Sequence, residues 1–129
     1  MADASSDDQS VFTKIINREL PAAIEYEDDE FIVIDNIAPV APVHVLVIPK
    51  KPYRTLEDVE QTDTRFHARM LFVARTVAKK LGISSNYKLF MNVGTKVQAV
   101  QHVHLHVTGG WKSTAGKAEL DAAGLKLVN

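Results

Sequence analysis

The segment QHVHLHVT, residues 101–108, carries a histidine at every second position, with apolar residues between them. Side chains alternate between the two faces of a β-strand, so this pattern predicts a strand over His102–Thr108. His102, His104 and His106 would then share one face, and the apolar residues would face a core. Three imidazoles on one face are more than a solvated strand needs, which indicates a chemical role.

Other segments on both sides of the histidines also predict strands. HVLVI (residues 44–48) is rich in β-branched residues and is closed by Pro49, and YKLFMN (87–92) has strand character. Two further short apolar runs, at residues 23–26 and 31–34, flank the acidic sequence EDDE and suggest a hairpin. Together with the histidine segment, these four segments predict an antiparallel sheet of about five strands.

Two segments have helical periodicity. Between Asp63 and Leu81, apolar residues recur at spacings of three, four and seven, and Gly82 follows as a stop signal. VFTKIIN (residues 11–17) predicts a short N-terminal helix that ends before Pro21. The expected fold class is α+β, an antiparallel sheet covered by one long helix.

Length and composition bound the organisation of the chain. With 129 residues, 46% hydrophobic and 24% charged, the sequence is typical of one globular domain. We expect a disordered acidic tail over residues 1–10, the domain proper over 11–110, and an extension of it over 111–129. No apolar run approaches the roughly 20 residues of a membrane span, so no membrane partner is expected.

Charge and cysteine content exclude several classes of function. The net charge of −1 gives no broad basic surface for nucleic acid, so an anionic ligand would need a local site. The absence of cysteine excludes disulfides and thiolate metal sites, and it fits a reducing compartment. We expect a cytoplasmic protein with a nuclear share.

The histidine run allows two chemical interpretations. A metal site is limited by geometry, because His102 and His106 would lie about 13 Å apart along a strand, although two of the histidines with His44 could bind an ion. In the other interpretation, His104 is a nucleophile that attacks phosphorus as a neutral imidazole, and its neighbours stabilise the anion. His67, alone on the long helix, is interpreted as structural.

At these residues the sequence resembles the histidine triad (HIT) family, and especially its Hint branch of purine nucleoside phosphoramidate hydrolases. The resemblance covers most of residues 11–110. It rests on VFTKIINRELPA with YEDDEF, on APVAPVHVLVIPKK, on the Asn92–Gly94 turn and on QAVQHVHLHVTGG.

The resemblance implies a HIT-like fold, a homodimer with a continuous sheet, a purine nucleotide ligand and no metal or other cofactor. His104 would form a nucleotidyl-histidine that water releases as a nucleoside monophosphate. His44 and His102 would orient its ring, and His106 would contact phosphate. The nucleotide-binding residues implied are Phe12, Ile15, Ile34, Asp35, Asn36, Ile37, Asn92, Gln98, Ala99 and Val100.

Three features depart from the family pattern. Asn36 stands where relatives use an acidic residue to hold the ribose hydroxyls, with Asp35 one position earlier. Ala99 replaces a serine found in many eukaryotic members, and residues 111–129 lack their usual C-terminal ending. The resemblance therefore defines the reaction at His104 better than it defines the leaving group of the substrate.

Three alternatives remain open at this stage. They are a diadenosine polyphosphate hydrolase of the Fhit branch, a nucleotide-binding regulatory module with incidental activity, and a metal-dependent hydrolase. The opening segment and Gly109-Gly110 disfavour the Fhit branch.

Overall fold

The structure, a computed structural model, describes residues 9–112. Its strands are β1 (Ile24–Glu27), β2 (Phe31–Asp35), β3 (Val43–Pro49), β4 (Tyr87–Phe90) and β5 (Leu105–Gly109). They form one antiparallel sheet in the order β1-β2-β3-β5-β4. Helix α1 spans Val11–Ile16 and helix α2 spans Thr64–Lys80, with a 3-10 turn at Leu56–Asp58. The predicted α+β fold is confirmed.

Both faces of the sheet are apolar, which explains the unbroken hydrophobic runs in its central strands. In β2, Phe31 and Val33 face α2, whereas Ile32 and Ile34 belong to a separate cluster with Phe12 of α1. Successive residues of a strand point to opposite faces, so one strand supplies both clusters. The long helix covers one face, and the short helix covers part of the other.

Helix α2 begins and ends where its sequence signals predict. The carboxylate of Asp63 accepts a hydrogen bond from the backbone N–H of Phe66 at 3.0 Å, which satisfies one of the free donors of the first turn. Gly82, at φ 75°, follows the C-cap residue Leu81 in the left-handed conformation that glycine adopts without steric cost. The apolar face between these ends packs on the sheet.

The last strand is shorter than predicted, because its first residue is Leu105 rather than His102. The backbone N–H of His102 binds the carbonyl of Val100 in a tight turn, and that of Val103 binds the carbonyl of Tyr53. These bonds hold the segment against the loop after β3 and keep it out of the β-ladder. The prediction that all three histidines lie on one strand is wrong. Strand β4 also stops early, at Phe90 rather than Asn92.

Two predicted segments lie mostly outside the described residues. Of the expected tail, residues 1–8 are outside, and Ser10 is the N-cap of α1. Of the expected extension 111–129, only residues 111 and 112 are described. Within residues 9–112, no helix is long and apolar enough to cross a membrane.

Candidate active site

His104 is held in one tautomer by the main chain beside it. Its Nδ1 lies 2.7 Å from the carbonyl oxygen of His102. A carbonyl can only accept a hydrogen bond, so Nδ1 carries the proton and Nε2 keeps its lone pair. Phe12 of α1 packs edge-on against the ring, with centroids 5.1 Å apart. His104 is 6% exposed and lines a cleft, so its ring is held in one orientation, with Nε2 as the nitrogen that has no partner among the described residues in the neutral tautomer.

His106 is oriented by a hydrogen-bonded pair with His44. The backbone N–H of Val40 donates to Nδ1 of His44 at 3.1 Å, so the neutral ring carries its proton on Nε2. That Nε2 lies 2.9 Å from Nδ1 of His106 and donates to it. The remaining proton of His106 is therefore on Nε2. In the described structure His44 thus hydrogen-bonds His106, whereas the resemblance implied that it orients His104.

Burial keeps this pair uncharged at neutral pH. Desolvation lowers the pKa of His44 below its ordinary value. Desolvation, followed by the charges of His104 and His44, lowers the pKa of His106 to about 4. At pH 7 His106 is consequently a neutral ring with one N–H, which can donate to an anion without adding a full positive charge.

His102 is a structural partner of the site and does not line the cleft. Its side chain is 1% exposed, and its Nε2–H donates to the carbonyl of Pro49 at 2.8 Å. Its Nδ1 accepts from the hydroxyl of Ser10 at 2.7 Å, and burial lowers its pKa. The carbonyl of His102, rather than its ring, therefore contacts His104.

Ser10 is a site residue that the sequence analysis assigned to the tail. Its hydroxyl accepts from the backbone N–H of Thr13 at 3.0 Å as the N-cap of α1, and it also bonds His102. A serine directly before the first apolar residue of a helix is a recognisable cap signal. Nothing in the local pattern indicates the second bond, which joins distant parts of the chain.

The cleft beside His104 has a volume of about 250 Å³ and combines an apolar wall with polar groups. Helix α1, strands β2 and β3, and the loop before β5 enclose it. Its lining residues are Val11, Phe12, Ile15, Ile34, Asp35, Asn36, Ile37, Leu46, Asn92, Ala99, Val100, His104 and His106. Every residue implied to bind nucleotide lies here except Gln98, and the sequence analysis missed Val11 and Leu46.

Gln98 is buried and braces the loop that borders the cleft. Its Oε1 accepts from the backbone N–H of Gly94 at 2.8 Å, and its Nε2 donates to the carbonyls of Arg54 and Val100 at 2.9 and 3.0 Å. Neither backbone N–H of Ala99 or Val100 has a hydrogen-bond partner among residues 9–112. The brace thus fixes two free donors at the edge of the cleft.

Asn36 lies in the loop before β3, beside the histidine pair. Its Oδ1 accepts from the backbone N–H of Ala38 at 2.9 Å. Its Nδ2 lies 3.2 Å from Nε2 of His44, which is a close contact rather than a hydrogen bond, because both nitrogens carry protons in the tautomer assigned to His44. Asn36 and Asp35 both line the cleft. In the part of the chain that the structure describes, no group of three or more histidine, aspartate or glutamate side chains could hold a metal ion.

Comparison with known proteins agrees with this geometry. A family model described as "Scavenger mRNA decapping enzyme C-term binding" matches residues 9–119. An uncharacterized HIT-like protein from Synechocystis sp. is 45% identical over 104 residues, which are 80% of this chain and 91% of the relative.

Two solved structures extend the comparison. A HIT family hydrolase from Clostridium thermocellum has a TM-score of 0.76 and 40% identity, covering 81% of this chain and 93% of its own. A histidine triad nucleotide-binding protein from Candida albicans has a TM-score of 0.69 and 26% identity, covering 89% and 94%. With its three alternating histidines and this sheet, the chain belongs to the histidine triad family.

Proposed function

We propose that this protein is a Hint-like nucleotide hydrolase that cleaves purine nucleoside 5′-phosphoramidates or related adenylates. The observation that carries the proposal is the position of His104, which lines the cleft while its Nδ1–H is held by the carbonyl of His102, so that Nε2 is the nitrogen left free. A nucleophile fixed in this way needs no separate base, because neutral imidazole attacks phosphorus directly.

The reaction would run in two displacements at the α-phosphorus. In the first, Nε2 of His104 forms a bond to phosphorus, and the bond from phosphorus to the leaving nitrogen breaks. The leaving nitrogen keeps the bonding electron pair, takes a proton from a water molecule, which becomes hydroxide, and departs as an amine. In the second, another water attacks phosphorus and gives a proton to that hydroxide. The bond to His104 breaks with its electron pair returning to Nε2, and the nucleoside monophosphate leaves with neutral imidazole restored.

The groups around His104 suit the negative charge of the phosphoryl oxygens. His106 offers a neutral Nε2–H, and the backbone N–H groups of Ala99 and Val100 offer two more donors. Donors that are already oriented stabilise charge in the transition state without reorganisation. The names of the hydrolase and the nucleotide-binding protein among the similar structures support a nucleotide as the ligand.

The apolar wall of the cleft suits a purine ring. Phe12, Ile15 and Leu46 lie on it and are at most 7% exposed, so they are packed before any ligand binds. A flat aromatic base can bury its faces against such a wall, while Asp35 and Asn36 offer polar groups to the sugar. We therefore expect adenosine and guanosine compounds to bind better than pyrimidine ones.

A homodimer is part of this proposal. Strand β4 has no outer neighbour in the described sheet, and an open edge readily pairs with another strand. On α2, the large apolar side chains of Leu71 and Phe72 are 49% and 55% exposed, and Phe72 borders the same surface depression as Tyr87 of β4. Light scattering should give the mass of two chains, and Phe72→Glu should give the mass of one. A monomeric wild-type protein would contradict the proposed homodimer.

The test of the chemistry is quenched-flow mass spectrometry with an adenosine phosphoramidate in the presence of chelator. We expect a nucleotidyl adduct on His104 that decays to AMP. His104→Ala should form no adduct and no AMP but should still bind AMP, because the base and sugar contacts lie elsewhere. His67→Ala, on helix α2 away from the cleft, is the matched histidine control and should behave as wild type.

Other results would favour the alternatives. Binding of AMP without adduct or turnover would favour a regulatory module. Faster cleavage of diadenosine polyphosphate than of phosphoramidates would favour the Fhit-type activity. Loss of turnover in chelator, with recovery on adding metal, would favour a metal-dependent hydrolase.

A further inference from the structure

Phe90 stacks flat on the ring of His106. It is the last residue of β4 and stands directly opposite His106 in the pairing of β4 with β5. The two ring centroids are 4.3 Å apart and the planes differ by 5°. Among the aromatic and imidazole pairs of the described residues, this one is the stacked pair, whereas the others are tilted or edge-on.

Two perpendicular constraints therefore act on His106. The lone pair of Nδ1 lies in the ring plane, so the hydrogen bond that it accepts from Nε2 of His44 limits rotation within that plane. The stacked ring of Phe90 limits the tilt of the plane, which a single hydrogen bond does not control. Phe90 itself does not line the cleft, so it acts on His106 without occupying space for a ligand.

We propose that Phe90 is a positioning residue that holds the His106 ring at the tilt needed to aim its Nε2–H at the phosphoryl group. The proposal rests on the nucleotidyl transfer proposed above and adds a residue to it. A donor must be held within a small angle of its target, because misalignment weakens its hydrogen bond to the transition state. The aromatic ring at position 90 is thus needed for the rate of the chemical step.

The surroundings of His106 support this role. The titratable groups that face it are His44 on β3 and His104 before β5, and Asp35 of β2 lines the same cleft. Burial is the main cause of its lowered pKa, and the ring of Phe90 covers one of its faces. In the single chain 41% of Phe90 is exposed, at the edge strand that the proposed homodimer would cover.

The experiment compares Phe90→Leu with Phe90→Tyr in the full chain. Leucine keeps an apolar side chain of similar size but has no ring, whereas tyrosine keeps the ring. Leu89→Ala is the matched control, because it changes the same edge strand one residue away, on the other face. Light scattering gives the molar mass of each variant and so its oligomeric state. The rate of His104 adduct formation is then measured in single-turnover experiments at several substrate concentrations.

We expect Phe90→Leu to slow adduct formation at saturating substrate by about tenfold, with little change in substrate affinity. Phe90→Tyr should restore the rate, and Leu89→Ala should retain it. Proton NMR of the resting protein provides a second readout. The carbon-bound protons of His106 should have upfield ring-current shifts in wild type and Phe90→Tyr, and should lose them in Phe90→Leu.

Several results would overturn the proposal. They are an unchanged rate in Phe90→Leu, a change in substrate affinity alone, or a rate loss that follows only the loss of the dimer. Absence of the ring-current shift in wild type would also overturn it. If wild type forms no adduct, the proposed function fails, whereas the NMR comparison still tests whether Phe90 sets the position of His106.

Discussion

The hydroxyl of Ser10 lies 2.7 Å from Nδ1 of His102, although the two residues are 92 positions apart in the sequence. The same hydroxyl caps helix α1, so one oxygen links the helix that carries Phe12 to the segment that carries His104. The ring of His102 is held between Ser10 and the carbonyl of Pro49. Helix α1, strand β3 and His104 are thereby placed relative to one another.

Replacing Ser10 by alanine should lower the free energy of unfolding by about 2 kcal/mol, from loss of the cap and of the bond to a buried ring nitrogen. Urea denaturation measures this, and Ser10→Thr should recover most of the loss. Thr55→Ala removes the exposed cap of the 3-10 turn and serves as the control. An equal loss in the two alanine variants would mean that the His102 bond contributes nothing.

Stability should fall as the solution is acidified. Burial lowers the pKa of His44, His102 and His106, the last from 6.5 to about 4. In the unfolded chain these rings bind protons near their ordinary pKa, so the unfolded state gains protons first as pH falls. The stabilisation is complete above pH 6.5 and should be lost between pH 6.5 and about 4.

The measurement is the free energy of unfolding in urea across that interval. His106→Asn should reduce the dependence on pH, because it removes the ring with the largest shift. His67→Asn should retain the dependence of the free energy of unfolding on pH, since that residue lies away from the cleft. Equal slopes in wild type and His106→Asn would contradict the assignment.

Asn36→Asp should sharpen selection for ribose. The resemblance assigns the sugar hydroxyls to this position, and a carboxylate accepts hydrogen bonds from hydroxyls more strongly than an amide does. We expect the ratio of kcat/KM for adenosine over 2′-deoxyadenosine phosphoramidate to rise about tenfold. Because the new carboxylate would lie close to the His44 ring, it should also raise the pKa of His44.

Asn92→Asp provides the comparison, because it adds the same charge elsewhere in the cleft lining. An equal change in sugar selection there would show a general effect of charge. In that case Asn36 would have no special position relative to the sugar.

Gln98→Glu should destabilise the loop beside the cleft. The amide donates to two carbonyls, and a carboxylate of the same shape cannot donate and would repel them. We expect a loss of about 2 kcal/mol in the free energy of unfolding, together with a raised KM. Gln61→Glu, on an exposed turn, should change neither. A raised KM at full stability would instead indicate that Gln98 contacts the ligand.

The sequence predicted those elements whose signals are local. Alternation and apolar runs identified the sheet, and the spacing of Met70, Val73 and Val77, with Gly82 as the stop signal, identified α2. The late start of β5 was not predictable in this way, because it depends on the bond from Val103 to the carbonyl of Tyr53. Contacts between distant segments produce no periodic pattern in the sequence.

The same distinction applies to the site. The histidine run predicted His104 as the candidate nucleophile, because the residue types and their spacing lie within eight consecutive residues. The role of Ser10 was missed, and Gln98, which was expected to bind nucleotide, instead bonds the main chain. A sequence cannot distinguish a hydroxyl or an amide that binds the main chain from one that binds a ligand. The stacking of Phe90 on His106 follows from strand register, which the sequence did not give.

The residues that stabilise the fold and the residues that line the cleft lie largely on opposite faces of the sheet. The cluster under α2 includes no residue that lines the cleft, and Asn36, Ala99 and Ile37 belong to neither hydrophobic cluster. Substitutions at the rim can therefore accumulate without weakening the scaffold that holds His104. A lineage carrying this domain can change its substrate through single replacements at these positions while its reaction chemistry stays the same.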